Sequence, residues 1–164
     1  MPDQTHITPS HILPAHIRPI NFAGIELILE LVHLLQEFYA DTDLESIVIL
    51  LCVSDATMRP FMSGAPSAEI LQSAKPPDEI RGSISRLMIA DKTGLPRETV
   101  RRKVSALAER GFVVVDGDDR IRIEQRLNDP QAIASLEQGH RAILRYLARL
   151  RQYGLDPAQV AAPP

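Results

Sequence analysis

Apolar positions crowd the first part of the chain and then become periodic. In residues 22–40, FAGIELILELVHLLQEFYA, the polar side chains Glu26, Glu30, His33 and Glu37 recur at i, i+4, i+7 and i+11. On a helix they form one narrow stripe, and nearly everything else is apolar. Asn21 is placed to cap this helix. Residues 42–58, TDLESIVILLCVSDATM, carry Thr42 and Glu45 in the Ser/Thr-x-x-Glu spacing of a capping box, so the apolar run IVILLCV reads as a core helix and not as a buried strand. Pro60, Pro66, Pro76 and Pro77 interrupt residues 59–82, a connector with room for a short helix near 67–73.

The pattern then tightens. A short helix is expected over about 85–93, a turn at Gly94-Leu95, and a second helix over about 97–110 with Pro96 at its start and Gly111 as its stop. FVVV and RIRIE read as strands, and Asp116-Gly117 between them is a hairpin signal. Asp129-Pro130 opens a long helix to about 153, ended by Gly154. Its apolar side is Ile133, Leu136, Ile143, Leu147 and Leu150, and Arg141, Arg145 and Arg149 make a separate stripe.

The first twenty residues repeat His-Ile-x-Pro three times, at His6, His11 and His16. Proline at this density favours extended backbone, so residues 1–20 read as an arm lying against a surface such as that of a partner subunit. Five-residue spacing on an extended strand alternates sides, and no carboxylate or cysteine is interleaved, so a metal site is not expected. The layout is thus an arm (1–20), apolar helices suited to dimerisation (21–58), a connector (59–82), a helix-turn-helix with hairpin (83–124), a C-terminal helix (125–154) and a tail (155–164).

Composition supports a mainly α protein: the 164 residues are 45% hydrophobic, with no Trp, three Tyr and four Phe. The single Cys52 reads as a core residue and excludes an internal disulfide. No basic-then-apolar leader opens the chain, and uninterrupted apolar runs fall far short of the roughly 20 residues that span a bilayer. A cytoplasmic protein with no membrane partner is expected.

Charge changes the picture most. The formal net charge is −3, yet residues 81–110 hold eight Lys/Arg and three Asp/Glu, a local +5 against −8 elsewhere. A basic module in an acidic protein points to nucleic acid. With Val100 at the centre of the buried face, 100° per residue puts Val104 and Leu107 within about 40° of it, and Glu98, Arg102 and Ser105 nearly opposite. Arg97 and Arg101 flank them. The basic cluster of 97–103 is therefore expected to face outward near the N-terminal half of the second helix. Helix-turn-helix proteins insert that end in the major groove.

The stretch IADKTGLPRETVRRKVSALAERGFVVVDGDDRIRI resembles the DNA-binding core of bacterial winged helix-turn-helix regulators of the MarR-like kind, over roughly residues 81–124. The resemblance implies a winged helix-turn-helix with flanking dimerisation helices and a small β-hairpin wing. It also implies a homodimeric transcription factor on an inverted repeat of double-stranded DNA. By position it assigns Arg97, Glu98, Thr99, Arg101 and Arg102 to bases and phosphates, and Ser83 and Ser85 to backbone. Two departures stand out. The wing tip is acidic, with Asp116, Asp118 and Asp119, so either Arg120 and Arg122 contact the DNA backbone from the strand or the wing stays off the DNA. The N-terminal block and connector do not follow the usual MarR-like layout.

The rival is a winged helix used as a protein-binding adaptor, which the acidic wing favours and the basic helix opposes. An enzyme is not expected: there is no Ser-His-Asp set, metal cluster or phosphate-cradling glycine loop. No cofactor is implied. A small-molecule effector would fit between the N-terminal helices and the winged domain, but no motif names one.

Overall fold

A computed structural model describes residues 13–73, 76–125 and 127–155. Helices α1 (Ile17–Phe38), α2 (Leu44–Ser63), α3 (Ala68–Gln72), α4 (Arg86–Thr93), α5 (Arg97–Glu109) and α6 (Pro130–Gln152) frame one hairpin, β1 (Val113–Val115) and β2 (Ile121–Ile123). The fold is mainly helical with a two-stranded antiparallel sheet, a winged helix-turn-helix. The chain divides into two compact units, His33–Glu137 and the paired segments Met1–Val32 and Gln138–Pro164.

In the larger unit, α2, α4, α5 and the hairpin share one core. Ile49, Leu50 and Val53 of α2 meet Ile89 and Ala90 of α4, Val100, Val104 and Leu107 of α5, and Phe112, Val113 and Ile121 of the hairpin. Each fully buried aliphatic side chain contributes roughly 1.5–3 kcal/mol. One apolar side of α2 is thus spent inside this unit, with Leu50 a core residue, while Leu44, Val48 and Leu51 stay exposed.

Local chemistry departs from the sequence reading at several ends. Asp43, not Thr42, caps α2: its carboxylate accepts the Ser46 N–H at 2.9 Å. Thr42 instead accepts the Arg110 guanidinium at 2.7 Å. Helix α2 also runs through Pro60 to Ser63, into the expected connector. A proline nitrogen cannot donate to the carbonyl four residues back, so the Ala56 carbonyl loses its helical partner. The chain passes close to that carbonyl at Gly82, where an added Cβ would lie 2.2 Å from the Ala56 oxygen. The Gly82 N–H donates to the Thr57 carbonyl at 2.9 Å. Only glycine fits this crossing.

The hairpin pairs Val113 with Ile123, Val114 with Arg122 and Val115 with Ile121. Ile84 adds a bridge to Ile121 on the other side, with N–H to O distances of 3.0 and 2.9 Å. The turn is longer than the Asp-Gly dipeptide signalled. Asp119, with φ 57°, is its left-handed residue, and Gly117 is not. A buried hydroxyl ties the sheet to α2. Thr57 donates to the Val53 carbonyl at 2.8 Å and accepts the Ile123 N–H at 3.1 Å.

The smaller unit pairs residues of α1 and α6 through the small side chains Ala23 and Ala142, both buried. Glu30 is ion-paired with Arg145, and Glu26 with Arg149. The arginine stripe of α6 therefore meets the glutamate stripe of α1 at Arg145 and Arg149. Helix α1 begins at Ile17, four residues before the expected cap at Asn21. Pro19 sits in its first turn, where the missing N–H has no helical partner to lose. The earlier residues of the His-Ile-x-Pro repeat, with His6 and His11, lie outside the described residues, and His16 is exposed ahead of α1.

Two helices, α1 and α2, are long and apolar enough to cross a membrane by length and composition, against the reading from uninterrupted runs. Isolated charges break the runs of α1 without lowering its mean hydropathy over 18 residues below 1.2. In α2 one apolar side, with Ile49, Leu50 and Val53, faces the core just described. In α1 Phe22, Ile25, Ile28 and Leu29 are exposed.

Candidate nucleic-acid interface

The helix-turn-helix is built by caps and small residues. Ser85 caps α4, accepting the Met88 N–H at 3.3 Å. Gly94 closes the helix at φ 70°, a left-handed conformation that disfavours side chains, with its N–H on the Ala90 carbonyl at 2.9 Å. Ala90 is buried where α4 meets α5. Pro96 precedes α5, and no side chain caps it. The first N–H groups of α5 thus lack a side-chain acceptor, the arrangement that suits a phosphate oxygen.

Helix α5 presents Arg97, Glu98, Arg101 and Arg102 to solvent, with Thr99 half-buried beside them. Glu98 grips Arg101 through two hydrogen bonds, Nε to Oε2 at 2.9 Å and Nη2 to Oε1 at 2.6 Å. The Arg101 guanidinium holds the Glu98 carboxyl below its ordinary range. Both side chains remain more than 60% exposed, so the pair positions Arg101 at little cost to its later use.

Other members of the basic module are engaged within the fold. Lys103 is only 8% exposed and clamps α5 to the start of α2, with Nζ 2.6 Å from Asp43 and 3.1 Å from Glu45. Burial works against its charge, but the two carboxylates outweigh burial and raise its pKa. The 97–103 cluster therefore does not face outward as a whole: Lys103 belongs to the fold. The helical wheel carried the signal, since position 103 lies about 60° from Val100, at the edge of the buried face. Arg81 donates to the Ile123 carbonyl at 2.5 Å and to Asp78 at 2.9 Å. Arg110 binds the Ala40 carbonyl at 2.6 Å and lies over the Phe112 ring at 4.7 Å.

The acidic wing is largely neutralised by its own surroundings. Asp119 accepts the Arg86 N–H at 3.0 Å and pairs with the Arg86 guanidinium, so a wing carboxylate occupies the N-terminus of α4. Asp116 pairs with Arg122 at 2.5 Å, with the Arg122 side chain only 21% exposed. Asp118 projects outward, 85% exposed and 3.8 Å from Arg120. Arg120 is the outward cation of the hairpin, and Arg122 is committed to the turn. Ser83 is exposed beside α4, while Ser85 is engaged as its cap.

Among the described residues no group of three or more His, Cys, Asp or Glu could hold a metal ion.

Residues 82–117 match the IclR helix-turn-helix domain family. No curated protein matches the chain, and no solved structure does. The match covers the Gly82 crossing, α4, the turn, α5 and β1. It supports a DNA-binding transcription regulator with a winged helix-turn-helix, a domain that implies double-stranded DNA as partner. The matching family is IclR-type, so the MarR-like assignment is not carried by it.

Proposed function

We propose that the protein is a sequence-specific transcriptional regulator that binds an inverted-repeat operator as a homodimer in the bacterial cytoplasm. The observation that carries this reading is the outward face of α5. Arg97, Arg101 and Arg102 stand clear of the core at the end of the helix whose N–H groups lack a side-chain cap. Arginine forks onto guanine O6 and N7, and a carboxylate such as Glu98 accepts from a cytosine amino group. Thr99, Ser83 and Arg120 are the candidates for phosphate contacts, which would set register and affinity; Ser83 and Arg120 are exposed and Thr99 is half-buried. Ser85 and Arg122, already engaged within the fold, have weaker claims.

Dimerisation is supported by α1. Phe22, Ile25, Ile28 and Leu29 are 48–65% exposed, a contiguous apolar surface of the kind that soluble proteins usually cover. A second copy related by a two-fold axis would cover it, and a homodimer on an inverted repeat would place one α5 in each of two successive major grooves. Such use of flanking helices is what a MarR-like layout would share. The inward pairing of Asp116 and Asp119 removes most of the support that an acidic wing lent to a protein-binding adaptor.

The test is selection of the purified protein against a random DNA library, with binding repeated at two salt concentrations. An enriched inverted repeat with a steep salt slope is expected. Absence of enrichment and of salt-dependent binding would leave the adaptor as the better reading.

A further inference from the structure

Two arginines and one glutamate share the outward face of α5. With Val100 at the buried centre, 100° per residue puts Arg101 at about 100°, Glu98 at about 160° and Arg102 at about 200°. Glu98 therefore stands between the arginines, three residues before one and four before the other, spacings at which helix side chains meet. It does not treat them alike. Its carboxylate takes Arg101 in two hydrogen bonds, from Nε at 2.9 Å and from Nη2 at 2.6 Å. Arg102 acts on that carboxylate through its charge.

The edge of the guanidinium that is used decides what remains. Nε and Nη2 form the side of the planar group, and Nη1 and Nη2 form its end. Glu98 occupies the side. The end keeps an N–H on each nitrogen, and such a pair is what guanine O6 and N7 accept. Reading a base normally costs an arginine its rotamer freedom, and Arg101 has given up part of that freedom to Glu98 beforehand. In water the exposed pair is worth little, but it strengthens where DNA excludes water.

We infer that Glu98 is a positioning residue: it holds Arg101 side-on so that the free end of the guanidinium reads guanine, and it does not itself read a base. The inference rests on the DNA-binding reading of α5 given above. A carboxylate on this face also repels phosphate whatever the sequence, so Glu98 lowers affinity for all DNA while sharpening the choice of one base. A glutamate that only favoured the first turn of α5 by its charge would not do both.

The experiment selects four full-length proteins against one random double-stranded DNA library: the native chain, Glu98→Gln, Arg101→Ala and the double variant. Melting temperatures confirm that all are folded. Arg101→Ala should erase a guanine preference at one position of the enriched site, a loss of about ten- to a hundredfold. Glu98→Gln keeps the shape, but its amide nitrogen faces a guanidinium N–H donor to donor. It should weaken the same preference about three- to tenfold and leave the other positions unchanged. It should also tighten binding to unrelated duplex at low salt. The double variant should discriminate no worse than Arg101→Ala. A preference altered at a different position in Glu98→Gln would make Glu98 a base reader and overturn the inference. An unchanged preference, or a uniform change at every position, would overturn it too. No enriched sequence with the native protein would sink the DNA-binding reading and this inference together, whereas enrichment that Glu98→Gln leaves untouched sinks the inference alone.

Discussion

Asp119 at the tip of the wing accepts the backbone N–H of Arg86, the first residue of α4, at 3.0 Å, and the same carboxylate pairs with the Arg86 guanidinium. Thirty-three residues apart in sequence, the two make the wing a cap for the helix that precedes α5. The negative charge is spent on a helix N-terminus, where it is favourable, instead of facing phosphate. Asp119→Ala should destabilise the protein by about 1–2 kcal/mol in urea unfolding, from the lost cap and from the strain of alanine at φ 57°. Asp118→Ala, at the exposed neighbour, should leave stability unchanged and strengthen DNA binding at low salt. Equal effects of the two substitutions would contradict the assigned geometry.

Thr57 is fully buried and bonds in both directions, to Val53 within α2 and to Ile123 in β2. Thr57→Val keeps the shape and removes the hydroxyl. The Ile123 N–H is then left without its acceptor, at a cost of about 1–3 kcal/mol. Hydrogen exchange at the Ile123 amide should accelerate by more than exchange in α5. Unchanged protection at Ile123 would show that the hydroxyl is not the anchor of the wing.

The Lys103–Asp43 clamp makes stability depend on pH in a defined direction. The hydrogen bond from Lys103 is the largest of the effects that lower the Asp43 pKa below its ordinary 3.8. A carboxyl with a depressed folded pKa stabilises the fold above its unfolded pKa, and that contribution disappears as pH falls through the folded value. Asp43→Asn keeps the helix cap and removes the charge. The variant should be less stable than the native protein at pH 7, and the gap should close as the pH falls below 3.8. For Lys103, raised above 10.5, the contribution is present at neutral pH and is lost as pH climbs through the folded pKa. A gap that stays constant between pH 7 and pH 2 would mean that the pair contributes nothing.

Arg102 and Lys103 are adjacent and should behave oppositely. Arg102→Ala is expected to weaken specific DNA binding about ten- to a hundredfold if it reads a base, with no change in melting temperature. Arg101→Ala should act similarly and also release Glu98. Lys103→Met should lower the melting temperature, because Asp43 and Glu45 lose their shared partner, and should leave the salt slope of DNA binding unchanged. Unaltered DNA affinity in both arginine variants would remove α5 as the reading head.

Leu29, 65% exposed on α1, tests the subunit interface. Leu29→Glu should convert a dimer into a monomer in sedimentation without loss of helical signal. Charge at Leu50 would instead unfold the protein, because Leu50 is in the shared core. A Leu29→Glu protein that stays dimeric would place the interface elsewhere.

The period of the apolar positions, the glycine turn and the valine-rich strands were enough to set the order of elements from α4 to β2. Those signals are local: a 3.6-residue repeat, a left-handed residue at Gly94 and alternation in a short strand each act within a few positions. The surplus of arginine on α5 could also be read directly, since residues opposite Val100 cannot be buried with it. Tertiary structure alone decided which charges stay free. Lys103 turned inward because Asp43, sixty residues away, and its neighbour Glu45 came within reach. Asp119 became a cap because the hairpin folds back onto α4, and Gly82 is demanded by a carbonyl that Pro60 frees on another element. Sequence spacing cannot carry such relations. They depend on which surfaces meet once the core has formed, and that meeting turned a basic cluster and an acidic wing into a small outward face of arginines on a self-neutralised frame.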